Sequence, residues 1–139
     1  NFWRNSSLYV VPHHGSLTEG SNAFGFLSLV APNMVAVSSS KTNRAGWNHP
    51  DGTLMKALLQ QNYSGLSSRI QNANQHVVLA QYQTNNGSIA CGCVTQKAIY
   101  TTYTTGLLSL ITNGMQYTWG EGHNNVPALN QCGQLICGQ

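Results

Sequence analysis

The sequence predicts a single α/β domain, and three observations carry that prediction. An apolar run, Leu8-Tyr9-Val10-Val11, is stopped by Pro12. A second, Met34-Val35-Ala36-Val37, follows a stretch whose apolar residues suit a short helix. A third, from His76 to Tyr82, leads into Asn85-Asn86-Gly87-Ser88, a strong hairpin turn signal.

The elements follow in order. Residues 1–7 are a polar lead-in whose Phe2 and Trp3 are expected to pack on the first strand. Leu8 to Val11 is β-branched and aromatic and reads as a strand covered on both faces. Pro12 has no N–H to give a ladder, so the chain leaves the sheet there. Residues 15–21 read as a polar loop. Phe24, Phe26, Leu27, Leu29 and Val30 read as a helix ended by Pro32, although Gly25 interrupts it. Strand, helix and strand up to Val37 form a βαβ pattern, so the two strands are expected to be parallel neighbours. After a polar loop from Lys41 to Asn48, His49-Pro50-Asp51-Gly52 opens an amphipathic helix through Leu54, Met55, Leu58 and Leu59. A short helix is expected around Ser67 to Asn72. Ser88 to Cys91 returns as the hairpin partner. Ala98 to Thr104, rich in Tyr and Thr, reads as a strand. Gly106 to Ile111 is apolar, with helix and strand both open. The tail from Gly120 onward reads as irregular.

The 139 residues suffice for one buried core. Charged residues make up 6%, against about a quarter in ordinary domains. The formal net charge of +3 is mild and does not form the basic stripe of a typical nucleic-acid binder. Solubility therefore rests on Asn, Gln, Ser and Thr. Such a surface lacks like-charge repulsion, which favours a homo-oligomer or larger assembly. No run of about 18 apolar residues exists to span a membrane. The chain opens at Asn1 without an initiator Met or a signal-peptide pattern, as a processed product or an excised fragment would. Asn5, Asn62 and Asn86 each head an N-glycosylation sequon, in keeping with a secreted, extracellular glycoprotein.

Four cysteines, Cys91, Cys93, Cys132 and Cys137, leave three readings open. They form two disulfides tying the tail to the Cys91 region, a structural zinc site, or buried free thiols. The spacings are not those of a zinc knuckle. Four cysteines allow three connectivities, and a direct Cys91–Cys93 bridge is disfavoured by its short loop.

The histidines carry the candidate chemistry. His13 and His14 emerge at a strand end. His49 sits at or before a helix N-terminus, where the dipole disfavours the protonated ring. A neutral imidazole is the form needed by a metal or by a proton acceptor. Lys41, Arg44 and Trp47 lie just before His49 and are candidates for holding a phosphate and lining a substrate pocket. Ser16 lacks the partners of a nucleophile and is expected to cap its loop instead. His76 and His123 read as structural or solvent-exposed.

The ordered set Val10-Val11-Pro12-His13-His14-Gly15-Ser16, Ala31-Pro32, Val35-Ala36-Val37-Ser38, Asn43, Gly46 and His49-Pro50 resembles the C-terminal half of a metallo-β-lactamase fold domain. The nearest branch is that of the ComEC/Rec2 competence proteins and related secreted hydrolases. The likeness spans about residues 8 to 90, and Gln83 to Ile89 is similar to that branch's later hairpin. It implies a metallo-β-lactamase-like αββα sandwich, of which residues 1–90 would be the C-terminal half and residues 91–139 a β-rich or irregular extension tied by disulfides. It implies zinc as cofactor, with His14 and His13 as ligands and His49 beside the pocket as a catalytic residue. It also implies phosphodiester bonds, nucleic acid among them, as the substrate class.

This chain departs from the family in lacking the HxHxDH signature and the bridging aspartate before the histidine pair; its single aspartate is Asp51. Three origins account for that: the C-terminal part of a cleaved domain completed by an N-terminal portion of the same precursor, a partial chain, or a degenerate domain kept for structure. Two functional classes follow: a zinc-dependent hydrolase, and a non-catalytic secreted structural or assembly protein on the same fold.

Overall fold

The computed structural model describes residues 6–40, 49–60, 69–121, and residues 129, 132, 133 and 137. The fold is mixed α/β. Strands β1 (Leu8–Val10), β2 (Met34–Val37) and β5 (Ile99–Thr101) form a parallel sheet in the order β1-β2-β5. Leu8 pairs with Met34, and Val35 pairs with Ile99. Helix α1 (Phe24–Val30) makes the connection from β1 to β2, as the βαβ pattern predicts. It ends at Ala31, left-handed at φ 42°, whose N–H returns to the Leu27 carbonyl.

Helix α2 (Gly52–Leu59) is capped by Asp51, whose side chain accepts from the N–H groups of Thr53 at 2.7 Å and Leu54 at 3.4 Å. Such a cap satisfies donors that the first helical turn leaves over. Strands β3 (Asn72–Thr84) and β4 (Gly87–Lys97) form a long antiparallel hairpin about Asn85-Asn86. That turn is where the sequence places it, and Asn86 is exposed. β3 runs beside β5 through side chains: the Leu79 N–H donates to Thr101 Oγ1 at 2.9 Å, and His76 Nε2 lies 2.7 Å from the Ile99 carbonyl. A second hairpin joins β6 (Leu108–Thr112) to β7 (Tyr117–Glu121).

One core serves these elements. Leu27 of α1, Leu54, Met55 and Leu58 of α2, Val35 and Val37 of β2, Val78 and Ala80 of β3, and Ile99 of β5 share one buried cluster. Cys91 and Cys93 belong to it. They alternate along β4, so both point to the same face of the strand. Cys91 pairs with Cys132 and Cys93 with Cys137, which closes the cysteine question in favour of two disulfides. Among the described residues no cysteine is free, and no helix is long and apolar enough to cross a membrane.

Four local expectations need correction. β1 is not covered on both faces: Leu8 and Tyr9 are half-buried and Val10 is 63% exposed. β3 begins at Asn72, so a helix reaching that residue does not form; residues 61–68 lie outside the described set. The Tyr/Thr-rich strand stops at Thr101 and turns into helix α3 (Thr102–Thr105). The Thr104 and Thr105 hydroxyls there donate to the Thr101 carbonyl at 3.1 and 2.9 Å, a local bond that competes with a sheet ladder. The tail is not irregular from Gly120 on, because Gly120 and Glu121 close β7.

Candidate functional site

The site is built where β1 leaves the parallel sheet. Pro12 opens a tight, kinked turn, Pro12–Gly15, that is not a regular helix. Within it His13 and His14 are both left-handed, at φ 50° and 53°. For residues with a Cβ that conformation costs roughly 1–2 kcal/mol each. Two such residues in succession persist only where neighbours over-determine them, a condition frequent at functional sites.

The neighbours are identifiable. Asn22 is fully buried and donates from Nδ2 to the Ser16 carbonyl at 2.6 Å and to the Pro12 carbonyl at 3.2 Å. Its Oδ1 accepts from the Tyr9 hydroxyl at 3.2 Å. Burial pushes that phenol's pKa up from its ordinary value. The Ser16 N–H closes the turn on the His13 carbonyl at 2.9 Å. Ser16 Oγ accepts from the Thr18 N–H at 3.1 Å, the loop-capping role expected of it. Gly15, at φ +84°, lies flat against Pro50: a Cβ there would fall 2.8 Å from the Pro50 Cβ and 3.0 Å from its Cα. The Asp51 N–H donates to the Gly15 carbonyl at 3.0 Å.

That last pair of contacts brings the second segment in. The His49–Pro50 bond is cis, and the His49 ring lies 5.6 Å from the His13 ring, centroid to centroid. The segment is anchored from behind by Gln81 of β3, which is 2% exposed. Gln81 Nε2 donates to the carbonyls of His49 and Ser40, both at 2.8 Å, and its backbone N–H donates to the Pro50 carbonyl at 2.9 Å. The loops after β2 and before α2 are thus tied to one buried amide.

His14 is exposed and turns toward the end of β2, where its Nδ1 lies 3.1 Å from the Ser38 carbonyl. A carbonyl only accepts, so Nδ1 is the protonated nitrogen. Nε2 of the neutral ring then keeps its lone pair. A backbone carbonyl on one ring nitrogen is the common support of a metal-ligating histidine.

The structure therefore brings His13 and His49 together and sets His14 on the same turn as His13. Lys41, Arg44 and Trp47 fall outside the described residues, as do Asn5, Asn62 and His123. Among the described residues no cluster of three or more metal-capable side chains exists. Sequence reasoning missed Asn22 and Gln81, the two buried amides that hold the turn and the segment. Gln81 had one signal, a polar residue closing the apolar run Val77 to Ala80; Asn22 had none.

No family model matches this chain, and neither a curated protein nor a solved structure shows significant similarity to it.

Proposed function

We propose that this chain is one part of a zinc-dependent hydrolase of the metallo-β-lactamase type, acting on phosphodiester bonds. The observation that carries the reading is the pairing of the His13 and His49 rings across the strained turn at the mouth of β1. His14 would hold the metal through Nε2, with the Ser38 carbonyl fixing its ring and His13 close by. When bound, zinc supplies Lewis acidity and makes water a competent nucleophile near neutral pH. His49, whose ring neighbours that of His13, would exchange a proton with substrate or leaving group, its segment held by Gln81 and Asp51. The remaining ligands come from an N-terminal portion of the same precursor outside this chain, so the domain would be the C-terminal half of an αββα sandwich.

The test reads binding as well as turnover. Zinc is titrated into the labelled chain while the histidine ring resonances are followed by NMR. The His14 resonances are expected to respond first, and His14→Ala should abolish the response while leaving the fold intact. Absence of any zinc response at His13, His14 and His49 defeats the reading.

A specific observation favours the second class. Hairpin β6–β7 and its approach expose Leu107 (78%), Ile111 (70%) and Met115 (95%), and among the described residues no strand pairs with the outer edge of β1. Apolar patches and strand edges of this kind are surfaces for assembly. A secreted structural protein on a degenerate form of the fold would bind no zinc and would sediment as an oligomer or filament.

A further inference from the structure

The β3–β4 hairpin carries a polar groove that the histidine site does not use. At its start β3 holds a large bulge. Asn72 pairs with Lys97 and His76 with Thr95, so residues 73–75 oppose the single residue Gln96. Bulges re-aim side chains and are over-represented beside active sites. Here the bulge turns out Asn74 and Gln75, both exposed.

Two depressions flank this ridge. The larger, about 630 Å³, reaches from Gln71 and Asn74 to the rings of His76, Tyr100 and Tyr117. The smaller, about 340 Å³, runs along Thr95, Gln96 and Lys97. Asn72 and Gln75 line both. Each volume falls within the roughly 300–1,000 Å³ of small-molecule sites. Met34, at the start of β2, lines the larger one, whereas His13 follows the far end of β1. The groove and the histidine site therefore lie toward opposite ends of the parallel sheet.

The lining chemistry is selective. Carboxamides are the commonest side chains in it, and among the described residues no acidic one lines either depression. A carboxamide both donates and accepts, as a hydroxyl does; a carboxylate only accepts and an ammonium only donates. Lys97 lines the smaller depression, and its Nζ donates to the Asn72 Oδ1 at 3.1 Å and the Ile70 carbonyl at 3.5 Å. That bond takes the Asn72 Oδ1 and orients its amide. The His76 ring is stacked on Tyr100 at 4.7 Å and 14°. Both its nitrogens lie 2.7 Å from backbone carbonyls, of Asn74 and Ile99. The ring so held offers a flat surface. Flat rings pack well against the C–H face of a sugar. The run Gln71-Asn72-Ala73-Asn74-Gln75 also goes against strand propensity, and such local violations mark sites kept for something other than stability.

We infer that this groove binds an uncharged oligosaccharide, with Asn72, Asn74 and Gln75 bonding hydroxyls along the ridge and His76 and Tyr117 flanking a sugar face. The two depressions joined by shared residues suit a linear ligand of repeated units rather than one compact molecule. The inference is independent of zinc and of the hydrolase reading.

The experiment is NMR of the labelled chain, reading the Asn and Gln side-chain amides. The probes are cellohexaose, maltohexaose, mannohexaose and chitohexaose, each raised to millimolar concentration, and a single-stranded oligodeoxynucleotide. At least one oligosaccharide is expected to move the Asn72, Asn74 and Gln75 amides saturably while the oligonucleotide leaves them in place. Asn74→Ala and Gln75→Ala, both at exposed positions, should each weaken that binding about tenfold, the loss of one to two good hydrogen bonds. Lys56→Gln, away from the groove, should not. No shift with any of the four sugars, shifts confined to other residues, or the same amides answering to the oligonucleotide would each overturn the proposal.

Discussion

Replacing Gly15 by alanine tests the joint on which the histidine pairing rests. Two costs add at this position. Gly15 sits at φ +84°, where an L side chain costs roughly 1–2 kcal/mol. Its new Cβ would also meet Pro50 at 2.8 Å and 3.0 Å, with Val37 behind it at 3.5 Å. Pro50 is buried and rigid, so its backbone must shift, an overpacking cost of about 1–3 kcal/mol. The sum is about 2–5 kcal/mol. At about 3–4 °C per kcal/mol for a chain of this size, Tm should fall by roughly 10 °C. Gly20→Ala is the matched control. Gly20 has φ +72° but nothing within 4 Å of its Cβ, so it carries the first cost without the second. The unfolded-state effect of losing a glycine is common to both and cancels in their difference. Thermal unfolding by circular dichroism gives the two shifts, and the histidine ring resonances report on geometry. Gly15→Ala should be the more destabilising and should move the His13 and His49 signals. Equal Tm losses, with those signals unmoved, would refute the claim that the Gly15–Pro50 contact holds the two segments together.

Gln81→Leu keeps the side chain's bulk and removes both donations, leaving the Ser40 and His49 carbonyls without this donor. It should cost about 2–4 kcal/mol by chemical denaturation, and Gln81→Glu, which faces the same carbonyls with oxygens alone, should cost more. Tyr9 governs an alkaline effect. Its folded pKa is raised by burial, so the unfolded phenol ionises first. Stability from this group is complete below about pH 10 and falls as pH rises through the folded value. Tyr9→Phe should flatten that part of the Tm–pH profile. Replacing Cys91 and Cys132 together by alanine opens a crosslink spanning 41 residues and should cost about 2–5 kcal/mol. The β3–β4 hairpin should stay paired in hydrogen exchange, because its ladder does not pass through the disulfide.

Elements with local causes were readable along the chain. The run from Leu8 to Pro12, the helix from Phe24, the strand from Met34, the capped helix after Asp51 and the turn at Asn85-Asn86 each depend on neighbours a few residues away. The cysteines were half legible: alternation on a strand explains why Cys91 and Cys93 face the core together, but no local rule pairs them with Cys132 and Cys137 in that order. His13, His14 and His49 were legible as chemistry because imidazoles after a strand and before a helix are few.

Other features had no local cause. Val10 is exposed because nothing among the described residues packs over that face of β1, whereas β5, the other edge of the same sheet, is buried. Residues 102–105 coil, with the Thr101 carbonyl taking the hydroxyls of Thr104 and Thr105, which composition favouring strands concealed. The bulge at residues 73–75 depends on how β3 registers with β4. Residue types along the chain determined the α/β character, the helix cap, the turns and the three imidazoles, since those follow from side-chain size, backbone freedom and short-range bonding. Packing alone decided that His13 meets His49, that Asn22 and Gln81 hold the two segments, and that an amide-lined groove opens at the opposite end of the sheet. Each of these joins residues far apart in sequence, and what brings such residues together is the closing of a shared core.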